Sequence, residues 1–139
     1  MMKRRDWVAM VKEFQAHFEK PFIPMSSKDW EDMINLRASL IHEEIHELWQ
    51  AMADMQRNPI SREELESAKV QTLDAICDSI YVLIGTANAL GFNLEEAFKR
   101  VHLSNMAKLG PDGQPIYNAA GKVMKPEGFK HPVLSDLVA

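Results

Sequence analysis

The sequence predicts an all-α domain, and three observations support this prediction. Apolar residues recur every three or four positions over the first three-quarters of the chain, as they do along one face of a helix. Capping residues, together with Gly and Pro breaks, divide that region into four helical segments. No segment has the pattern of a strand. We therefore expect a four-helix bundle with two long central helices, followed by an irregular tail.

The first two helices are separated by the loop KPFIPMSS, whose prolines end the first of them. Helix 1 is predicted over residues 6–19. Its apolar stripe consists of Trp7, Val11, Phe14 and Phe18. Helix 2 begins after Ser26 and Ser27. Asp29 is placed to contact Ser26 in the manner of a capping box. It runs to Met55 or Gln56, where RNPI breaks the pattern.

Helix 3 and helix 4 are also marked by caps. The capping box Ser61-x-x-Glu64 opens helix 3, which continues to Leu90 and stops at Gly91. Helix 4 opens at Asn93-x-x-Glu96 and ends near residues 108–110. Residues 110–139 are rich in Gly and Pro, with D-G and A-G turn pairs. We assign residues 1–109 to the bundle and residues 110–139 to a lid or tail of the same domain.

Composition limits the classes of function. The 139 residues are 46% hydrophobic and carry a net charge of −4, which argues against a nucleic-acid partner. The basic cluster Lys3-Arg4-Arg5 has no apolar run after it, so we interpret it as a solvated end. No window approaches the ~18 apolar residues of a membrane span. The single cysteine, Cys77, lies among apolar neighbours and is expected to be buried; one cysteine suits the cytosol. We expect a cytoplasmic protein without a membrane partner.

The stretch IHEEIHELWQ contains two overlapping metal motifs. Residues 42–46 fit H-E-x-x-H, a zinc-protease pattern, and residues 44–47 fit E-x-x-E, half of a carboxylate site. At 100° per residue, Glu44 lies inside the apolar stripe of the helix and Glu47 lies at its edge. His42 and His46 fall on nearly the opposite side. The geometry therefore favours the carboxylate motif over zinc.

A second acidic pair lies in the most apolar segment of the chain, TLDAICDSIYVLIGTA. Asp74 and Asp78 are i,i+4 neighbours, and no Lys or Arg occurs between Lys69 and Lys99 to neutralise them. Antiparallel packing of helices 2 and 3 would bring both acidic pairs together. Four carboxylates suit Mg²⁺ or Mn²⁺, which indicates metal-dependent phosphoanhydride chemistry. The alternative is an intra-helix salt bridge from Arg37 to Glu43 or Glu44 on a mostly exposed face.

The chain resembles the all-α nucleoside triphosphate (NTP) pyrophosphohydrolases of the MazG-like group, which includes relatives of phosphoribosyl-ATP pyrophosphohydrolase and dimeric dUTPases. The resemblance is carried by LIHEEIHEL, LDAICDSIYVLIGTANALG, VHLSNMAKLGPDGQPI and GKVMKPEGF; the last two are similar to segments of phage and bacterial single-domain members. The family signature is E-x-x-E followed by E-x-x-D. Glu44, Glu47 and Asp78 match it, whereas Ala75 stands where the third acid is expected. Either Asp74 or Glu43 would then complete the shell.

The resemblance implies both a reaction and a set of site residues. Two or three Mg²⁺ or Mn²⁺ ions would be held by Glu44, Glu47, Asp74 and Asp78. Either Glu43 or Glu47 would act as the catalytic base on water. The phosphate contacts would be Asn105, Lys108, Lys122 and Lys125. The products would be NMP and pyrophosphate. The phage-like segments favour a purine dNTP, dGTP or dATP, in nucleotide-pool control; dUTP or dCTP is the alternative. The family also implies a homodimer or homotetramer.

Aromatic residues near helix 1 offer a candidate base pocket. They are Phe14, Phe18, Phe22 and Trp30. Aromatic residues at helical spacing more often belong to a core, so both interpretations stay open. Two other classes of function compete with the pyrophosphohydrolase. One is a non-catalytic helical interaction module whose acids form a solvated face, and the other is the zinc hydrolase.

Overall fold

A computed structural model describes residues 6–139, so the Lys3-Arg4-Arg5 cluster lies outside the described residues. Residues 6–139 form four α-helices and one short 3₁₀ turn: α1 (Trp7–Phe18), α2 (Ser27–Asp54), α3 (Arg62–Ala89), α4 (Leu94–Met106) and the turn Ser135–Leu137. Residues 6–139 contain isolated β-bridges in the tail but no strand. The predicted all-α class is therefore confirmed, with two helices of 28 residues each.

The helix ends follow the predicted caps closely. Ser61 and Glu64 form a complete capping box at the start of α3. At the start of α2, the Ser26 hydroxyl accepts the Asp29 N–H at 3.3 Å. The Asp29 carboxylate instead accepts the Met25 N–H at 2.7 Å, so the predicted box is only half formed. Gly91 follows α3 with φ +74°, a left-handed conformation that glycine adopts without a Cβ clash.

The chain divides into two compact units, one ending at Leu90 and the other comprising Gly91–Ala139. The first unit holds α1, α2 and α3, and α3 packs against both of the others. Two contacts show that α2 and α3 are antiparallel. Arg37, early in α2, bonds to Val82 and Thr86 late in α3, whereas Glu44, one heptad further along α2, lies near Asp78. This arrangement places the acidic segments of the two helices together.

Most of the buried side chains in the described part of the first unit are small. The buried residues are Val11, Arg37, Ala51, Ala68, Thr72, Ala75, Ser79, Ile84, Gly85 and Ala87. Large apolar residues lie on outward faces, with Trp49 72% exposed and Val70 64% exposed. Cys77 is exposed, and the expectation that it would be buried was wrong. Its position on α3 falls with Val70 and Leu73, on a face that neither α1 nor α2 covers.

In the second unit, Arg100 of α4 fastens the C-terminal turn. Its guanidinium donates to both Asp136 oxygens at 2.7 and 3.0 Å, and also to Glu96 and the Val133 carbonyl. Hydrogen bonding from Arg100 lowers the pKa of Asp136. The Asn93 N–H donates to the Leu137 carbonyl at 2.9 Å, and Leu137 is buried. No single helix among residues 6–139 is long and apolar enough to cross a membrane.

Candidate metal centre and the adjoining cavity

Three carboxylates converge between α2 and α3. Glu44, Glu47 and Asp78 each offer an oxygen, and these atoms lie within 4.8 Å of one another. Glu44 and Glu47 are one turn apart on α2, while Asp78 comes from α3. All three are metal ligands predicted from the sequence, and the packing of the two helices brings them together.

The position of Glu44 on α2 explains why it faces inward. Arg37, Glu44 and Ala51 follow one another at seven-residue intervals, which is nearly two full turns, so they share a face. Arg37 and Ala51 are buried. On α3, Asp78 projects about 60° from buried Ala75 and so reaches the edge of the same interface.

Burial and neighbouring negative charges both disfavour the ionised form of Glu44. Burial raises its pKa, and the negative charges of Glu47, Asp78 and Glu43 raise it further. Its Oε2 is buried and has no hydrogen-bond partner among the described residues. A buried carboxylate oxygen without a partner is costly. A hard divalent cation would satisfy this oxygen and offset the repulsion, so this all-oxygen donor set fits Mg²⁺ or Mn²⁺.

The other predicted carboxylates lie outside this group of three. Asp74 and Glu43 are exposed. Asp74 is about 100° round the axis from Ala75, so it points further from the α2–α3 interface than Asp78 does. Their roles as a fourth ligand or a catalytic base stay predictions. His42 and His46 are exposed, as the helical geometry predicted.

A cavity of about 390 Å³ adjoins the carboxylates, within the size range of small-molecule sites. It is bounded by α1 together with α2 and α3. The lining residues are Val11, Phe14, Gln15, Phe18, Glu19, Arg37, Leu40, Glu44, Asp78, Tyr81, Val82 and Gly85. The Phe14 and Phe18 rings stack with centroids 4.6 Å apart, and Tyr81 meets Phe14 edge-on at 5.5 Å.

The structure separates the four aromatic candidates into two pairs. Phe14 and Phe18 line the cavity, whereas Phe22 and Trp30 contact each other edge-on at 5.0 Å and are not among its lining residues. Tyr81, which was not among the candidates, completes the aromatic wall. Its spacing from Asp78, three residues along α3, is the signal that could have found it.

Arg37 does not form the salt bridge that the sequence suggested. Its side chain is buried and donates to the Thr86 hydroxyl at 3.0 Å, the Val82 carbonyl at 3.1 Å and Glu19 at 3.4 Å. The proposed pairing with Glu43 or Glu44 was wrong, because α1 and α3 offer these partners nearer than a residue two turns away. A Cβ at Gly85 would lie 2.7 Å from Arg37 Nη2, so glycine permits the close approach of α3.

The predicted phosphate contacts all belong to the second unit. The Lys108 ammonium, just beyond the end of α4, donates to Asn105 Oδ1 at 3.0 Å, which pairs these two candidates. Lys122 closes a turn through its backbone N–H, which donates to Asn118 Oδ1. The Lys125 ammonium lies 5.6 Å from the Phe129 ring centroid. These contacts leave the four residues as predictions for phosphate binding.

The raised pKa of Glu44 predicts how the metal-free protein responds to pH. Because the pKa of Glu44 is raised in the folded state, proton binding to Glu44 stabilises the fold. This stabilisation is fully present below the ordinary glutamate pKa of 4.5 and is lost as pH rises through the raised pKa. In EDTA, we therefore expect Glu44→Gln to melt at a higher temperature than the unmodified protein at neutral pH, with a gap that shrinks as pH falls. Glu31→Gln, an exposed change on α2, is the control. A gap independent of pH would contradict the prediction.

Comparison with known proteins adds a family match. The model of the family described as phosphoribosyl-ATP pyrophosphohydrolase matches residues 11–105. This range contains the three carboxylates and every residue that lines the cavity. Proteins of this family hydrolyse a nucleotide pyrophosphate bond and generally depend on divalent metal ions. Comparison with curated proteins gives no match.

Proposed function

Because the chain belongs to the phosphoribosyl-ATP pyrophosphohydrolase family, we propose that it is a metal-dependent (d)NTP pyrophosphohydrolase. The reaction would cleave the bond between the α- and β-phosphates and give (d)NMP and pyrophosphate. The observation that carries this proposal is the unpartnered, buried Oε2 of Glu44 within the three-carboxylate cluster. The adjoining cavity has the volume to take the nucleoside part of such a substrate.

The predicted site residues would have two roles, which are binding of the metal ions and phosphates and transfer of a proton from water. Glu44, Glu47 and Asp78 would hold the ions, with Asp74 or Glu43 completing the shell. Mg²⁺ or Mn²⁺ in this position would supply charge neutralisation of the triphosphate and a water of lowered pKa. Glu43 or Glu47, both exposed carboxylates, would orient that water and accept its proton. Asn105, Lys108, Lys122 and Lys125 would contact the phosphates.

The proposed substrate is a purine dNTP, dGTP or dATP, and the proposed role is control of the nucleotide pool. A dUTP or dCTP pyrophosphohydrolase of the same fold is the alternative. Incubating the purified protein with each (d)NTP in Mg²⁺ and then Mn²⁺, with products resolved by ion exchange, tests both points. We expect NMP and pyrophosphate. NDP and phosphate would contradict the cleavage site, and no turnover in folded, metal-loaded protein would favour a non-catalytic interaction module.

We also propose a homodimer or homotetramer. Trp49, Val70 and Leu73 are each more than 60% exposed on the two long helices, and burying such side chains between subunits is favourable. Sedimentation equilibrium should then give a mass two or four times the 15.9 kDa of the chain. Leu73→Glu should shift the protein towards lower mass. A mass of one chain at micromolar concentration would contradict this proposal.

A further inference from the structure

The cavity has two chemically different ends. The carboxylates Glu44 and Asp78 line one end. Arg37 lies seven residues before Glu44 on α2, which is roughly 10 Å along the axis. There it meets Glu19, the residue that directly follows α1. That separation is comparable with the length of a nucleoside. If the α-phosphate lies at the carboxylates, the far edge of the base reaches the end that holds Arg37 and Glu19.

The wall between these ends suits a flat aromatic ligand. Phe14, Phe18 and Tyr81 line it, with Phe14 in contact with both other rings. Phe18 is 74% exposed and Phe14 is 40% exposed, so ring surface is open to a ligand. Stacking on aromatic side chains stabilises any base to a similar degree. These rings therefore support base binding without selecting among bases.

Selection of one base over another requires hydrogen bonds to the base. The end of the cavity that holds Arg37 and Glu19 has a fixed set of hydrogen-bonding groups. Glu19 accepts one bond on each carboxylate oxygen, from Arg37 Nη1 at 3.4 Å and from Gln15 Nε2 at 3.1 Å. Each oxygen keeps a further lone pair, because a carboxylate has about four acceptor positions. Arg37 uses three of its five N–H groups, on Glu19, Thr86 and Val82. The far end thus offers N–H donors beside a carboxylate acceptor.

The partners of these two side chains hold them in place. Arg37 is 4% exposed, and its three bonds reach α3 and Glu19, the residue that follows α1. Gln15 also donates to the Gly85 carbonyl at 2.9 Å and accepts from Asn88 at 3.1 Å, which fixes the amide that contacts Glu19. Groups positioned in this way discriminate strongly between ligands, since a mismatched ligand leaves desolvated polar atoms unpaired.

We propose that this end of the cavity recognises guanine, with Glu19 and Arg37 as specificity-determining residues; the inference rests on the proposed pyrophosphohydrolase function. The Watson–Crick edge of guanine presents the O6 acceptor followed by two donors, N1–H and the 2-amino group. Arg37 donates to O6, and the two oxygens of Glu19 accept from N1–H and the 2-amino group. Adenine and 2,6-diaminopurine place an acceptor, N1, against the carboxylate, and thymine has one donor between two acceptors.

The test compares dGTP with dITP, which differs from it only by the missing 2-amino group. For the unmodified protein, we expect kcat/KM for dGTP to be at least about 10-fold higher than kcat/KM for dITP. The difference between dGTP and dATP should be larger still. Glu19→Gln has one acceptor oxygen, and its amide opposes the 2-amino group. It should lower the dGTP/dITP ratio to about one or below. Glu13→Gln, on an exposed position of α1 that does not line the cavity, should leave the ratio unchanged.

A binding measurement separates this inference from the proposed function. Calorimetry with dGMP and dIMP needs no turnover, and dGMP should bind at least about 10-fold more tightly. Equal affinities, or equal kcat/KM for dGTP and dITP, would overturn guanine recognition even if hydrolysis occurs. An unchanged ratio in folded Glu19→Gln would overturn the role of Glu19. If dGMP bound more tightly than dIMP but no nucleotide were hydrolysed, the proposed pyrophosphohydrolase activity would be wrong, whereas guanine recognition would be supported.

Discussion

Glu44→Gln and Asp78→Asn should each lower kcat/KM for nucleotide hydrolysis by at least about 100-fold while the protein stays folded. Both residues contribute an oxygen to the cluster whose atoms lie within 4.8 Å of one another, and both substitutions keep the shape but remove a negative charge. The measurement is steady-state hydrolysis in saturating Mg²⁺ or Mn²⁺. Circular dichroism and thermal melting check that the fold is retained.

His42→Ala is the matched control for these variants. His42 lies on the same helix two residues before Glu44, and it is exposed on the opposite face. We expect its hydrolysis rate to stay within about two-fold of the unmodified protein, since surface changes away from a site are usually near neutral. Zinc dependence together with loss of activity in His42→Ala would contradict the carboxylate site and favour the interpretation as a zinc hydrolase.

Arg37→Ala should lower the free energy of unfolding by roughly 3 kcal/mol. The substitution removes a buried side chain that joins three helices and leaves a void beside Gly85. Glu19 loses its cation, but its side chain is 36% exposed and keeps access to water, which limits the loss of stability. Urea denaturation of the metal-free protein measures the change without a contribution from ligand binding.

Arg57→Ala provides the comparison for the Arg37 variant. Its side chain is 58% exposed and its Nη2 lies 3.8 Å from Glu64 Oε2, so this surface pair contributes little. We expect a change below about 1 kcal/mol for Arg57→Ala. If Arg37→Ala were no more destabilising than Arg57→Ala, the three bonds of Arg37 would not connect the helices energetically.

Helix boundaries were predictable because local chemistry determines them. Ser61, Glu64 and Gly91 act on backbone groups within a few residues, so their effect can be read without knowledge of the tertiary structure. The inward orientation of Glu44 was predictable for a similar reason. Helical periodicity relates it to the apolar residues of its own helix, and those residues face the other helices.

The contacts of Arg37 were not predictable, because its partners are 18 to 49 positions away in the sequence. Sequence spacing suggested acids on its own helix, whereas packing supplied Glu19, Thr86 and the Val82 carbonyl. Asp74 shows the opposite limit. Its spacing from Asp78 is compatible with a shared site. However, the rotation of α3 about its axis decides whether Asp74 or Asp78 faces α2, and small buried residues such as Ala75 determine that rotation.

A crystal structure grown with Mn²⁺ would show whether Glu44, Glu47 and Asp78 hold divalent ions. Anomalous scattering locates Mn²⁺ independently of the positions of the protein atoms. We predict one or more Mn²⁺ ions bonded to oxygens of all three carboxylates, including Glu44 Oε2, which lacks a partner among the described residues. Mn²⁺ bound only elsewhere on the protein, with Glu44 Oε2 still without a partner at saturating metal, would exclude these three carboxylates as the metal centre.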